Sequence, residues 1–130
     1  MLGHLRRKLA AAFADRESAE HRGMRLLKEN LSPTQRKQYD ECRSFEAMGG
    51  DSGRRYRIRH GTSMNIDELD ATDRVVSRWC VVPKGELVIG DVLLSQKVGI
   101  EVFERDTLAV AHRFSTGSPA IRLETGMPTG

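Results

Sequence analysis

Arg54-Arg55-Tyr56-Arg57-Ile58-Arg59-His60 constrains the fold more than any other segment. In a strand, successive side chains point to opposite faces, so Arg55, Arg57 and Arg59 line one face and Tyr56 and Ile58 the other. A chain with such a strand must cover one sheet face with apolar groups and leave the other to water or to an anionic partner. Gly49-Gly50-Asp51-Ser52-Gly53 before it and Gly61-Thr62-Ser63 after it carry turn chemistry, so the strand is short and bounded on both sides.

The flanking segments extend the pattern. Phe45-Glu46-Ala47-Met48, Met64–Leu69 and Arg74–Val82 read as three more short strands separated by turn-length connections, which predicts an antiparallel meander of about four strands. Ser32-Pro33-Thr34-Gln35 is an N-terminal helix signal: Ser32 as cap, Pro33 in the first turn and Gln35 closing a capping box, with the helix reaching about Arg43. Leu2, Leu5, Leu9 and Phe13 fall on one helical stripe. Asp15-Arg16-Glu17-Ser18 interrupts it, and a second helical stretch with Met24, Leu26 and Leu27 runs to about Asn30. Gly23 weakens that stretch by roughly 1 kcal/mol relative to Ala. Asp91 is a candidate cap for a later helix with Leu94, Val98 and Val102 on its stripe and Ile100 and Phe103 adjacent. Asp106 is a candidate cap for a last short helix to about Phe114.

The fold class expected is therefore α+β: N-terminal helices, a small antiparallel sheet and a C-terminal helix packed on one sheet face. The organisation expected is a helical extension over 1–30, a compact domain over 31–114 and a flexible tail over 115–130. At 130 residues with 38% apolar side chains, one modest core is what the chain can build. No run approaches the ~18 apolar residues that span a bilayer. The six-residue run Leu9–Ala14 is shorter than the ~7–15 residues of a signal-peptide core. Cys42 and Cys80 form no short-spaced pair, and free thiols in a cytoplasmic protein are the expectation.

Charge divides the chain. Residues 1–61 carry 14 basic and 8 acidic side chains, and residues 62–130 carry 7 basic and 10 acidic. With Phe45, Ala47, Ile66, Trp79 and Val81 facing the core, the outer face should hold Arg55, Arg57, Arg59, Arg74 and Arg78 against Glu46 and Asp67. That is a charge ladder with three positive charges to spare. Tyr56 and Trp79 then point inward, which leaves few aromatic platforms for stacked bases and argues against a single-strand nucleic-acid reader.

Catalytic signatures fail on context. Gly50-Asp51-Ser52-Gly53 spells a serine-protease nucleophile motif, but Arg54 follows it where that family has Gly, and 130 residues cannot build the double barrel. As a phosphate cradle the same loop would lead into a strand rather than a helix. The four histidines and two cysteines lack zinc spacing, and Asp67, Glu68, Asp70 and Asp73 lack the alternation of a calcium loop. No catalytic residue, metal or cofactor is assigned.

The segments Leu31-Ser32-Pro33-Thr34-Gln35, Tyr56-Arg57-Ile58-Arg59-His60-Gly61, Asn65-Ile66, Leu69-Asp70, Trp79-Cys80-Val81-Val82-Pro83 and Gly90-Asp91-Val92-Leu93-Leu94-Ser95-Gln96-Lys97 together resemble a family of small uncharacterised bacterial proteins. The resemblance spans about two-thirds of the chain, from Leu31 to about Phe114. It implies a shared compact domain and no particular activity.

Two functional expectations follow. The first is a non-enzymatic binding or accessory module whose arginine face takes an acidic protein or, more weakly, nucleic acid. The second is an assembly subunit that docks through Leu2, Leu5, Leu9 and Phe13 and through its tail, as a homo-oligomer or within a larger complex. The short stripe disfavours a membrane role.

Overall fold

The computed structural model describes residues 2–81, 83–85 and 87–115, and the tail expected beyond them lies outside the described residues. Among the described residues, three helices and five strands follow in the order α1 (Leu2–Asn30), α2 (Pro33–Cys42), β1 (Ser44–Met48), β2 (Arg55–Arg59), β3 (Ile66–Leu69), β4 (Val75–Cys80), α3 (Ile89–Val110) and β5 (His112–Ser115). The strands form one antiparallel sheet in sequence order. The fold is thus α+β, with one strand more than the meander expected.

The capping box forms as the sequence demands. Ser32 Oγ accepts from the Gln35 N–H, and Gln35 Oε1 accepts from the Ser32 N–H. Arg43, left-handed at φ 57°, ends α2 with its N–H on the Tyr39 carbonyl and turns the chain into β1. The same helix then closes the edge of the sheet. Gln38 Oε1 accepts the Glu46 N–H at 2.9 Å, and Gln35 Nε2 donates to the Glu46 carbonyl at 2.8 Å. A free edge strand is a template for wrong pairing, and two glutamines occupy this one.

Leu27, Leu31, Tyr39, Phe45, Ala47, Tyr56, Ile58, Ile66, Trp79, Leu93 and Ile100 form the core. The alternation expected in β1, β2 and β4 therefore places its apolar residues inward. The core also takes in Leu27 of α1, on the N-terminal side of the boundary drawn at residue 30.

Four expectations about the helices change. Asp15–Ser18 does not divide the first helix, because α1 runs unbroken for 29 residues. These are tolerable helix residues, and Arg16 pairs with Glu20 one turn on. Asp91 is not a cap: α3 starts at Ile89, with Val88 as N-cap and Asp91 in the first turn. The stripe Leu94, Val98, Val102 is not the buried face. Burial falls on Val92, Leu93, Gln96, Ile100 and Glu104, while Val98, Val102 and Phe103 are exposed. Two of the buried positions are polar, so a search for apolar periodicity finds the wrong side of the helix. Finally, Asp106 starts no new helix. The chain stays in α3 to Val110, kinked where Phe103 adopts φ −126° and ψ 42°, and the residues expected to end a helix form β5.

Gly23 has a packing reason. A Cβ on Gly90 would meet the backbone of Gly23 and Met24, and a Cβ on Gly23 would meet the Val88 side chain. α1 and α3 touch backbone to backbone at this crossing, which only glycine permits.

Candidate functional site

β2 presents Tyr56 and Ile58 to the core and Arg55, Arg57 and Arg59 to the uncovered face, as its alternation requires. Pairing with β3 sets Asp67 opposite Arg57, and pairing with β4 sets Arg78 opposite Asp67. Three guanidinium groups therefore converge on one carboxylate. Arg57 Nε and Nη2 donate to Asp67 Oδ2 at 3.2 and 3.0 Å. Arg59 donates to both Asp67 oxygens at 3.0 and 3.1 Å, and Arg78 Nε stands 3.3 Å from Oδ1. Arg59 Nη2 also donates to the Met64 carbonyl, which fixes its head group.

Burial differs sharply within this group. The Asp67 side chain is 1% exposed, whereas those of Arg57, Arg59 and Arg78 are 35%, 39% and 48% exposed. A buried carboxylate is tolerated only when its lone pairs are filled, and here several N–H donors fill them. The arginines that supply those donors still face solvent. Arg57 and Arg59 turn their Nε–Nη2 edges to the carboxylate, so their Nη1 groups point away from it. Three cations around one anion leave the cluster two charges positive, held in a fixed geometry on a rigid sheet.

The other two arginines stand apart. Arg55 donates to Glu46 Oε1 at 2.9 Å and is paired with Asp73, and these bonds hold its charge more firmly than usual. Arg74 is exposed at the β3–β4 turn beside Asp70, whose carboxylate accepts the Arg74 and Thr72 N–H groups and is held below its ordinary pKa by them. Asp73 was not anticipated. It sits in that turn with φ 66°, a left-handed position no strand pattern reveals. With Asp73 counted against the five arginines, the surplus on this face falls from three to two.

Phe114 was also unanticipated. β5 pairs with β4 so that Phe114 lies opposite Arg78, and it is half exposed. Val76 and Met48 are exposed as well, giving the cationic cluster apolar neighbours on the same sheet. Tyr39, Tyr56 and Trp79 are buried.

A second polar cluster lies on the covered side and organises the glycine loop. Glu104, 3% exposed, accepts from the Asp51 N–H, the Ser52 N–H, the Ser52 hydroxyl and the Tyr56 hydroxyl at 2.6–2.9 Å. A Cβ on Gly49 would strike this carboxylate, and one on Gly50 would strike the Glu101 carbonyl. Asp51 in turn accepts the Arg105 N–H, a helix donor close after the kink at Phe103. The loop weighed as a phosphate cradle thus already binds an anion, the chain's own Glu104. Ser52, the serine of Gly50-Asp51-Ser52-Gly53, is engaged with a carboxylate rather than a histidine. Burial raises the Glu104 pKa, but the bonds from Ser52, Tyr56 and Asp51 outweigh it and hold the group below the usual carboxylate range. Burial and the Glu104 carboxylate push the Tyr56 hydroxyl well up.

Elsewhere, Asn65 and Gln96 exchange two hydrogen bonds in the interior, and Gln96 also donates to the Val81 carbonyl. His60 Nδ1 meets the Tyr39 hydroxyl at 2.6 Å beside Arg43, and burial followed by the Arg43 charge lowers its pKa. A cleft of about 450 Å³ between α2, β1 and α3 is lined by Gln35, Gln38, Glu46, Arg55, Lys97 and Glu101, whose polar groups bond one another. Among the described residues no group of three or more His, Cys, Asp or Glu is placed to hold a metal ion.

Leu2, Leu5, Leu9 and Phe13 are 52–72% exposed along α1, far from the arginine face in sequence and joined to it only through the helix's C-terminal half. Among the described residues no helix is long and apolar enough to cross a membrane.

Fold and surface thus define a class: a small α+β domain with one sheet face covered by helices and the other carrying an arginine cluster. Comparison with protein-family models, with curated proteins and with solved structures found no match.

Proposed function

We propose that this chain is a non-enzymatic binding module whose open sheet face takes an acidic segment of a partner protein. The observation that carries it is the triad Arg57, Arg59 and Arg78 around buried Asp67. A simple charge ladder would pair cations and anions one to one and leave no net field. Here one buried anion orients three cations and neutralises one, so preorganised donors remain for a carboxylate or phosphate. Arg55, neutralised by Glu46 and Asp73, frames the site, and Arg74 adds field from its edge.

The choice of protein over nucleic acid rests on the neighbours of the triad. A strand reader needs several exposed aromatics beside its basic groups. Among the described residues this face offers Phe114 alone, with Val76 and Met48 as aliphatic company. Cationic centre and apolar flanks suit an acidic segment with apolar side chains of its own. The module is placed in the cytoplasm, where the free thiols Cys42 and Cys80 stay reduced.

The test is binding of an acidic peptide library and of a mixed-sequence oligonucleotide to the wild type and to Arg57→Ala with Arg59→Ala. Acidic peptides should be retained by the wild type and lost by the double variant. Peptide binding that survives the double substitution, or oligonucleotide binding that exceeds it, would overturn the reading.

A further inference from the structure

We infer that α1 pairs with α1 of a second copy of this chain, antiparallel, with each helix tip seated at the root of the other's. The observations are independent of the arginine face. Every residue from Leu2 to Ser18 is exposed, and α1 first becomes buried at Gly23 and Leu27. The exposed stretch is about 25 Å of helix at the standard rise. An isolated helix of that length is marginal in water and needs a packed apolar stripe to persist. Leu2, Leu5, Leu9 and Phe13 form such a stripe, and it continues in phase into Gly23 and Leu27, the face that packs on the domain.

Charge order selects the occupant. Arg6, Arg7 and Lys8 come first, and Asp15, Glu17 and Glu20 follow. A parallel pair would stack the basic blocks on each other. An antiparallel pair with Leu9 against Ala12 of the second copy sets Lys8 beside its Asp15 and Arg6 beside its Glu17, each twice by symmetry. Leu5 then lies on the stem of Arg16, whose head group is already turned to Glu20 at 3.4 Å. Leu2 reaches Ala19. There the structure holds a groove of about 730 Å³ lined by Arg16, Ala19, Pro83, Leu87 and Val88, with Leu87 42% exposed. Stripe, charge order and groove agree on one register, which a lipid surface or an unrelated helix would not require.

Sedimentation equilibrium of the full chain tests this. The wild type should be a concentration-dependent dimer and Leu9→Asp a monomer, with the near-ultraviolet signal of Trp79 unchanged because the stripe lies outside the domain core. Lys8→Glu alone and Asp15→Lys alone should each weaken the dimer about tenfold or more, and the two together should restore it. A chain that stays monomeric, a dimer indifferent to Leu9→Asp, or a charge swap without restoration would overturn the inference. So would a monomer that instead co-sediments with vesicles containing anionic lipid.

Discussion

At Glu104, four donors meet a carboxylate that water hardly reaches. Its pKa is depressed in the folded chain, so the unfolded chain binds the proton more readily. The stability this difference contributes is present above the ordinary carboxylate pKa and is lost as pH falls through the lower folded value. Glu104→Gln should lower unfolding free energy at neutral pH by about 1–3 kcal/mol, since one acceptor atom becomes a donor facing donors. Urea titrations from pH 7 to pH 3 should show a flatter acid limb for the variant; an unchanged limb would remove Glu104 from that role. His60 works in the same direction but in a higher window. Its folded pKa lies below 6.5, so stability should begin to fall as pH drops through the ordinary histidine value, ahead of Glu104. Replacing His60 with Gln should erase that first step while leaving the second, and the same titrations resolve the two. Asp67 is the opposite kind of residue, one whose loss exposes cations to each other. Asp67→Ala should cost about 1–3 kcal/mol by removing charge-assisted hydrogen bonds and leaving three half-exposed arginines to repel one another, measured by the shift in urea midpoint at constant slope.

Elements meet in this fold through their smallest residues. Gly90 faces the Gly23 backbone, so Gly90→Ala requires α1 and α3 to separate, at about 1–3 kcal/mol, despite Ala's better helix propensity. Gly23→Ala meets the side chains of Val88 and Asp91 rather than backbone, and both can shift, so its effect should be the milder of the two. Equal losses in thermal unfolding would count against the close crossing. The same contact shows what sequence can and cannot disclose. Helix α2 was legible because its capping box is local, and β2 because alternation within seven residues suffices to phase a strand. The core side of α3 was hidden, since Gln96 and Glu104 face inward to serve Asn65 and the glycine loop. Their partners lie 31 and 53 residues away in the chain, beyond any periodicity. β5 escaped for a related reason: four residues straight after a helix carry too little pattern, and only β4's free edge gives them a place. The arginine face was legible as a face. Its division into a charged triad and a neutralised Arg55 was not, because that division depends on Asp73 in a left-handed turn.

The whole molecule presents two candidate surfaces on one frame. The sheet carries the arginine cluster outward, and α1 carries its apolar stripe past the domain. They share only the segment of α1 from Gly23 onward, where Leu27 is buried beside Leu31 and Leu93. Removing residues 2–18 should therefore leave a domain that unfolds cooperatively and still holds acidic peptides, because neither the core nor the triad draws on them. Extending the deletion through Leu27 should abolish folding, since a fully buried leucine and the Gly23–Gly90 crossing go with it; a buried leucine alone accounts for about 2–5 kcal/mol, a large share of a small domain's stability. Circular dichroism melts of the two truncations read the first claim, and peptide binding by the shorter deletion reads the second. If the shorter deletion unfolds the domain, the projecting half of α1 is part of the fold rather than an arm. If it folds but loses the peptide, the two surfaces are coupled through α1.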